Sequence, residues 1–509
     1  MEIRETLREK IYNPVMRRLD SGFNKVVGSR LLNEFPLIQD QFTVRGEYYL
    51  AELKDAIFGP PEIRKQEPED PAKRDWRDEI VYSVMIDRFR NGDPANDYDV
   101  NPGDPSRFHG GDLQGLIDKL DYIKELGATT ILITPPVEND ENGYHGYWAS
   151  NFSKVDKHFG DVEKLKELVD TAHDKGLKVV MDFVVNHTGY GSPMARDPRY
   201  KDWFHSFGTI KFPGEWWLTH GQLWGLPDFA HEKKEVADFL IKAGKYWIDQ
   251  TGIDGFRLDA TRHVPHDFWQ RFSKEIHDHA GKDFLLVGEV YRGAPGRISG
   301  FQKDGIDSLF DYPLCHMARK VFADDGHTKN LKFVLKGDSH YENPDLLLTM
   351  LDSQDLSRFL TEAEGDKEAL KLGLAFLFTS RGIPTLYYGT EVAMEGGKDP
   401  DNRKDMAWDR KADDVTELVK RLADMRKSHP ALRRGDQTAL IADKDVLMFS
   451  RNYKDERTYV AINTSDEERE IPFSGDLNYK DLLTGKDGSV TDGILRIPGR
   501  SFLILEPRR

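Results

Sequence analysis

Acidic side chains recur at or just beyond the carboxyl ends of five short predicted strands: Asp182 inside LKVVMDFVVNH, Asp259 after GFRL, Glu289 after FLLVG, Asp355 after LLLTMLDSQ and Glu391 after GIPTLYYGT. Arg257 and Asp259 stand two residues apart. On an extended strand both leave the same face, and the guanidinium would hold the neighbouring carboxyl ionised. Glu289 follows an apolar run, where desolvation raises a carboxyl's proton affinity. One ionised carboxylate beside one protonated carboxyl is the pair that glycosidic bond cleavage requires, the first attacking the anomeric carbon and the second protonating the departing oxygen. Asp259 is the candidate nucleophile and Glu289 the candidate general acid.

Such residues need a scaffold that brings distant strand ends together. From Ile80 the chain alternates short apolar runs with amphipathic stretches, the order of an α/β domain with a parallel sheet. Leu113, Leu116, Ile117, Leu120 and Ile123 trace one helical face, as do Leu165, Leu168, Val169 and Ala172. Strands are predicted at 80–89, 129–134, 177–187, 255–259, 284–289, 308–312, 346–352 and 383–388. Eight strands with intervening helices predict a closed (β/α)8 TIM barrel, whose functional side chains emerge at the carboxyl ends of the strands. An open doubly wound sheet is the competing topology. Residues 76–188 and 232–430 form the expected catalytic barrel. The stretch 189–231 is too long for an ordinary loop and is expected to be a small inserted subdomain after strand 3. Beyond 430, runs such as VLMFSRNYKDERTYVAIN predict a C-terminal antiparallel β-sandwich domain over 431–509. Residues 1–75 read as an N-terminal extension ending in the charged linker GPPEIRKQEPEDPAKR.

The chain has 509 residues, with 72 basic and 88 acidic side chains and a net charge of −16. That balance opposes a general nucleic-acid grip, which needs a basic field. No apolar run approaches the ~18 residues of a membrane span. The opening MEIRETLREKIYN lacks the apolar core of a secretion signal, so a cytoplasmic setting is expected. The single cysteine, Cys315, excludes an intrachain disulfide and any multi-cysteine zinc site, and reads as a small buried side chain. Other histidines, His220 among them, read as hydrogen-bonded polar groups rather than ligands.

At the level of whole segments the sequence resembles the α-amylase family of glycoside hydrolases, family 13, from about Ile80 to the C-terminus. The segment 182–187, DFVVNH, is similar to the family's first block, 255–259, GFRLD, to the block carrying the nucleophile, and Gly288-Glu289 to the acid/base block. HGYW at 145–148, GIPTLYYG at 382–389 and DPDNR at 399–403 resemble further segments in the family's order. The resemblance implies a retaining mechanism in which Asp259 attacks, Glu289 protonates the leaving oxygen, and water or another sugar resolves a covalent glucosyl enzyme. Asp355 would be the third acid, gripping hydroxyls beside the reacting carbon. His145, Tyr147, His187, Arg257, Asp399 and Arg403 would bind the sugar being cleaved, with His263 and Arg262 toward the product side. Tyr147 offers a flat ring for a sugar face.

Two positions depart from the family's pattern. The fourth block usually reads Asn-His-Asp and here reads Ser353-Gln354-Asp355. Gln354 can donate through its amide but carries no charge, and loss of one transition-state donor can cost on the order of 10² to 10³ in rate. Arg262 stands where a lysine is common, keeping the charge with a different reach.

The segment NGDPAND at 91–97 and Gly110-Gly111-Asp112 set oxygen donors at close spacing, which suits calcium, or a polar turn with Asx caps. Resemblance to the calcium loop of cyclomaltodextrinases and cyclodextrin-forming relatives makes Asn91, Asp93, Asn96, Asp97, the Gly110 carbonyl and Asp112 the candidate ligands for a structural Ca²⁺. Trp216, Trp217 and Trp224 could stack on glucose rings or form the core of the insert. The expected substrates are malto-oligosaccharides, cyclodextrins or starch fragments, cut at α-1,4 bonds with some glucosyl transfer. A glucosyl transferase or isomerase of the same fold and a glucan-binding protein that cleaves nothing are the alternatives. The first 75 residues are too short to resemble the full N-terminal domain of the cyclomaltodextrinase group, and would cover the barrel or pair subunits in a homo-oligomer.

Overall fold

The computed structural model describes residues 75–508 except 141, 212–213, 292–293 and 411–412. The expected N-terminal extension, and with it any subunit-pairing role, lies outside the described residues. No helix among the described residues is long and apolar enough to cross a membrane.

Eight parallel strands form one sheet: β1 (Val81–Val84), β2 (Thr130–Ile133), β5 (Lys178–Phe183), β6 (Gly255–Leu258), β7 (Leu285–Gly288), β8 (Ser308–Leu309), β9 (Leu348–Met350) and β10 (Ile383–Tyr387). Their order is β8-β7-β6-β5-β2-β1-β10-β9. A parallel bridge between Phe310 and Leu348 joins the two edge strands, and the Asp311 N–H donates to the Leu348 carbonyl at 2.9 Å. The sheet therefore closes into a barrel, and the open doubly wound alternative is set aside.

Side-chain alternation divides the barrel into two cores. Val81, Leu132, Val180, Leu285, Val287, Leu348, Met350 and Ile383 pack together inside the barrel. Ile131, Ile133, Val179, Met181, Phe183, Phe256, Leu258 and Leu286 join the larger core under the helices. The helix Val162–Asp174 shows how the outer layer is built: Asp161 caps it by accepting from the Lys164 N–H, and Leu165, Leu168, Val169 and Ala172 make its buried stripe. Cys315 is 1% exposed in the inner core, where desolvation pushes its thiol up to about 12. It is a packing residue.

Between β2 and β5 the chain makes an antiparallel hairpin, β3 (Val137–Asn139) with β4 (Ala149–Val155), which the sequence reading passed over. Residues 189–231 contain short helical turns, Pro193–Arg196, Pro198–Trp203, Glu215–His220 and Leu223–Gly225, tied by bridges such as Phe204 to Phe229.

After the barrel, β11 (Asp436–Ala442), β12 (Val446–Tyr453), β13 (Glu456–Asn463), β15 (Leu477–Asp481), β16 (Asp487–Val490) and β18 (Ser501–Pro507) make a six-stranded antiparallel sheet. A two-stranded sheet, β14 (Arg469–Pro472) with β17 (Ile494–Ile497), shares its core through Ile471, Leu495 and Ile497 against Val446, Met448 and Ala461.

One strand-end acid is corrected. Glu391 was expected on the rim with the others, but it is fully buried and accepts hydrogen bonds from the Tyr82 hydroxyl at 2.6 Å and the Tyr122 hydroxyl at 2.7 Å. It braces β1 and a surrounding helix and takes no part in the cleft.

Candidate active site

The inward parity of the barrel core carries directly into the polar cluster at its carboxyl end. Val180 faces inward on β5, so Asp182 does too, and Leu285 and Val287 set the same parity for Glu289. Asp182 and Arg257 are register partners on β5 and β6. Arg257 is 1% exposed, and its Nη1 donates to both oxygens of Asp182, at 3.0 and 2.8 Å, and to Asp259 Oδ1 at 2.6 Å. Its Nη2 lies 3.6 Å from Glu289 Oε2. A guanidinium this deep is stable only because carboxylates surround it, and they hold its pKa well above the ordinary value. Desolvation pushes Asp182 up, to about 7, against the pull of Arg257. Both Asp182 oxygens accept hydrogens, from Arg257 and from the Tyr147 hydroxyl at 2.8 Å, an arrangement that suits the ionised form.

Glu289 sits just past β7, its N–H donating to the Leu258 carbonyl at 2.9 Å. Burial raises its carboxyl to about 7, with Asp259 and Asp355 adding to the rise and Arg257 opposing it. Oε2 accepts from the Ala260 N–H at 3.0 Å and Oε1 from the Tyr312 hydroxyl at 3.2 Å. With Oε2 turned to a backbone donor and a guanidinium, the exchangeable proton belongs on Oε1. Ala260 reaches that position with φ 48° and ψ 36°, a left-handed conformation a side chain adopts only under constraint. The constraint sits directly after Asp259.

The cleft wall is built from loops. Asp355 lies at the mouth, its side chain 35% exposed, where Arg403 Nη2 approaches Oδ1 at 3.4 Å. Desolvation between crowded acids raises its carboxyl. Arg403 also donates from Nε to the Gln354 carbonyl at 3.0 Å and pairs with Asp399 at 3.1 Å. Gln354 donates from Nε2 to the Tyr147 hydroxyl at 3.0 Å. Tyr147, half-buried, thereby connects Asp182 to Gln354, and Gly146 before it turns with φ 90° where a Cβ would meet the Pro135 carbonyl. His145 is buried, and its Nδ1 accepts from the Tyr147 N–H at 3.0 Å. Burial, then Arg403, lowers it to about 3, so it is neutral with its hydrogen on Nε2.

His187 is 2% exposed and both its nitrogens are engaged. Nδ1 accepts from the Asn186 amide and Nε2 donates to the Tyr147 carbonyl, each at 3.1 Å. In this arrangement it fixes the Tyr147 backbone and offers no nitrogen to the cleft. His263 donates from Nδ1 to the Leu218 carbonyl at 3.1 Å, and burial with Arg262 beside it lowers it to about 4. Arg262, half-buried, shares its one-turn helix, Thr261–His263.

The structure thus gathers Asp259, Glu289, Asp355, Arg257, Tyr147, Gln354, Arg403 and Asp399 into one polar cluster at the carboxyl end of the barrel. Tyr312 was missed as a site residue. A hydroxyl 23 positions from Glu289 leaves no local signal, although Tyr312 closes the SLFDY run that forms the sixth strand end. Trp216 and Trp224, 47% and 80% exposed, are surface faces rather than core of the insert.

The loop read for calcium is held by its own hydrogen bonds. Asp112 is fully buried and accepts from the Gly92, Asp93 and Gly115 N–H groups and from the Asn96 amide. Asn91 donates to both Asp97 oxygens at 2.9 and 2.7 Å. Asp93 accepts from the Ala95 N–H at 3.1 Å. Asn96 Oδ1 is buried with no partner. At Gly110, φ 95°, a Cβ would stand 2.6 Å from Asp97 Oδ1. An all-oxygen donor set with one orphaned buried acceptor fits a hard cation.

The family model described as "Alpha amylase, catalytic domain" matches residues 83–437. A cyclomaltodextrinase from Geobacillus thermopakistaniensis is 36% identical over 507 residues, covering 93% of this chain and 83% of the relative. A beta/alpha-amylase from Paenibacillus polymyxa is 37% identical over 412 residues, covering 77% of this chain, which spans 34% of that longer protein. The crystal structure of an Anoxybacillus α-amylase superposes with a TM-score of 0.83 at 41% identity, covering 86% of this chain and all of the other.

Proposed function

Because the chain belongs to the α-amylase family of glycoside hydrolases, family 13, we propose that it cleaves α-1,4-glucosidic bonds of malto-oligosaccharides, cyclodextrins and starch fragments through a covalent glucosyl enzyme. The observation that carries this reading is one guanidinium shared by two carboxyls: Arg257 lies 2.6 Å from Asp259 and 3.6 Å from Glu289. Carboxyls that share a guanidinium are near neighbours. A close pair suits the ~5–5.5 Å separation of retaining enzymes, and membership of the family is what argues for retention.

The chemistry follows from the two environments. Asp259, ion-paired to Arg257, attacks the anomeric carbon. Glu289, protonated near neutral pH by burial, gives its Oε1 proton to the departing oxygen and afterwards takes a proton from the incoming water. Asp355, Arg403 and Asp399 at the mouth grip hydroxyls of the reacting sugar, and the Tyr147 ring lies under its face. Transfer to a second sugar competes with hydrolysis. Tyr291, 41% exposed and packed against Tyr312 with ring centroids 4.7 Å apart at 58°, gives an acceptor a surface beside the acid.

Product chromatography from maltoheptaose, β-cyclodextrin, pullulan and starch, with proton NMR of the first anomer released, tests the reading. The α-anomer is expected, and Asp259→Asn is expected to fold and show no turnover. Initial release of the β-anomer, or full activity in that variant, would remove the nucleophile assignment.

We further propose that Asn91, Asp93, Asn96, Asp97 and the Gly110 carbonyl, braced by Asp112, hold a structural Ca²⁺. The ion supplies positive charge to a loop rich in carboxylates. Chelation is expected to lower the thermal midpoint and added calcium to restore it, while Asp97→Asn loses that response.

A further inference from the structure

Away from Arg257 and its carboxylates, three side chains converge from three places: His205 after the turn Pro198–Trp203, His220 at the end of the helix Glu215–His220, and Glu232 just ahead of the helix Lys234–Thr251. One donor atom from each lies within 4.8 Å of the others. We propose that His205, His220 and Glu232 form a binding site for a zinc-like divalent cation, separate from the oxygen-lined loop at 91–112.

Each imidazole is already oriented by a partner that leaves its second nitrogen to a ligand. Asp228 Oδ2 receives the His205 Nδ1 hydrogen at 2.6 Å, which directs the Nε2 lone pair toward Glu232, 3.2 Å away. Asp228 is fully buried, and its Oδ1 has no partner. A carboxylate behind a histidine is the usual support of a metal-binding imidazole, fixing its tautomer and raising its basicity. His220 turns Nδ1 to the Trp216 carbonyl at 3.1 Å, which leaves Nε2 for the ion. Trp216 stacks on that ring at 4.8 Å and 15°, and the His205 ring stacks on it at 4.7 Å and 28°, so the two imidazoles must turn out of this stack for both nitrogens to meet one ion.

Two imidazoles and one carboxylate, with a fourth position open, are a zinc donor set rather than a calcium one, since calcium takes oxygen alone. Metal–nitrogen bonds of ~2.0–2.1 Å place tetrahedral ligand atoms roughly 3.3 Å apart. His205 and Glu232 already stand at that spacing, so loading closes only the longer separations within the set, by up to about 1.5 Å. Glu232, whose side chain is 54% exposed, has the freedom to close the set and gives the ion its route in. The helix that carries His220 also holds His263 through the Leu218 carbonyl, so the ion would pin that helix against the cleft.

The test uses the full chain, stripped with EDTA, reloaded with calcium and then titrated with zinc or cobalt. One equivalent of zinc is expected to survive gel filtration, and bound cobalt should show the intense visible bands of a tetrahedral site. His220→Gln and Glu232→Gln are each expected to weaken zinc binding at least tenfold, and Asp228→Asn by about 10- to 100-fold as the supporting carboxylate is lost. Glu232→Gln alters an exposed side chain, so it keeps the test valid if a histidine variant fails to fold. No retained zinc in the wild type, or unchanged affinity in Glu232→Gln and the His220→Gln/Glu232→Gln double variant, overturns the proposal. Either result would leave His205 as a hydrogen-bonded group between Asp228 and Glu232.

Discussion

Replacing Tyr312 by phenylalanine removes one atom from the cleft, the hydroxyl that donates to Glu289 Oε1 at 3.2 Å. That distance exceeds the ~2.5–2.7 Å of a strong hydroxyl–carboxylate bond. Its net worth therefore falls near the ~0.5–1.5 kcal/mol of an ordinary hydrogen bond, equivalent to about half to one pH unit. The bond favours the ionised form of Glu289, so its loss raises a carboxyl that already titrates at about 7. The general acid then stays protonated to higher pH. The descending limb of kcat/KM against pH, measured with maltoheptaose from about pH 5 to about pH 9, should move upward by that amount. Rescue is not expected from Tyr312→Leu, which also lacks the hydroxyl. An unmoved limb would mean that another group sets it. A downward shift would mean that the acid proton bonds to Tyr312 instead of to the substrate, and would refute the assignment of the transferable proton to Oε1.

Glu289→Gln tests the same burial through stability. The folded carboxyl titrates at about 7 against an ordinary 4.5, so between those values the native state binds more protons than the unfolded chain and stability falls as pH rises. The amide removes this loss. Its thermal midpoint should exceed the wild type's above pH 7, by up to roughly 3 kcal/mol of unfolding free energy, and the gap should close below about pH 4.5, as read by calorimetry. Gln354→Ala removes the amide that donates to Tyr147, and should lower kcat about tenfold or more with a smaller effect on KM if that hydrogen bond matters most in the transition state. A change in KM alone would assign Gln354 to substrate binding only.

The barrel was legible because its strands are short, largely apolar runs buried on both faces, spaced by amphipathic helices, and because parity then fixes which residues point inward. The placement of Asp259 and Glu289 directly past strand ends was legible for the same reason, with Arg257 two residues from one of them. What stayed hidden depends on partners far apart in the chain. Glu391 looked like a rim acid, yet its hydroxyl donors come from Tyr82 and Tyr122, 309 and 269 positions away. The β3–β4 hairpin lacks a continuous apolar face: only Ala149, Phe152 and Val155 of β4 are buried, and the turn between the strands is polar. His205, His220 and Glu232 have no motif spacing, and only the folding of the insert back onto the barrel places them together.

The glutamine at 354 acquires a physical role once the chain of hydrogen bonds is followed outward from Arg257. The Tyr147 hydroxyl has one hydrogen, spent on Asp182, so toward Gln354 it can only accept. Position 354 must therefore supply a donor whatever the pH. An amide does so without adding charge, whereas an imidazole would gain a proton in acid beside two buried arginines, Arg257 and Arg403. Glutamine thus keeps Tyr147 oriented over the same pH range in which Glu289 must stay protonated. On the proposed reading its cost would be the loss of a titratable donor to the sugar, which would leave more of the hydroxyl grip to Arg403 and Asp355.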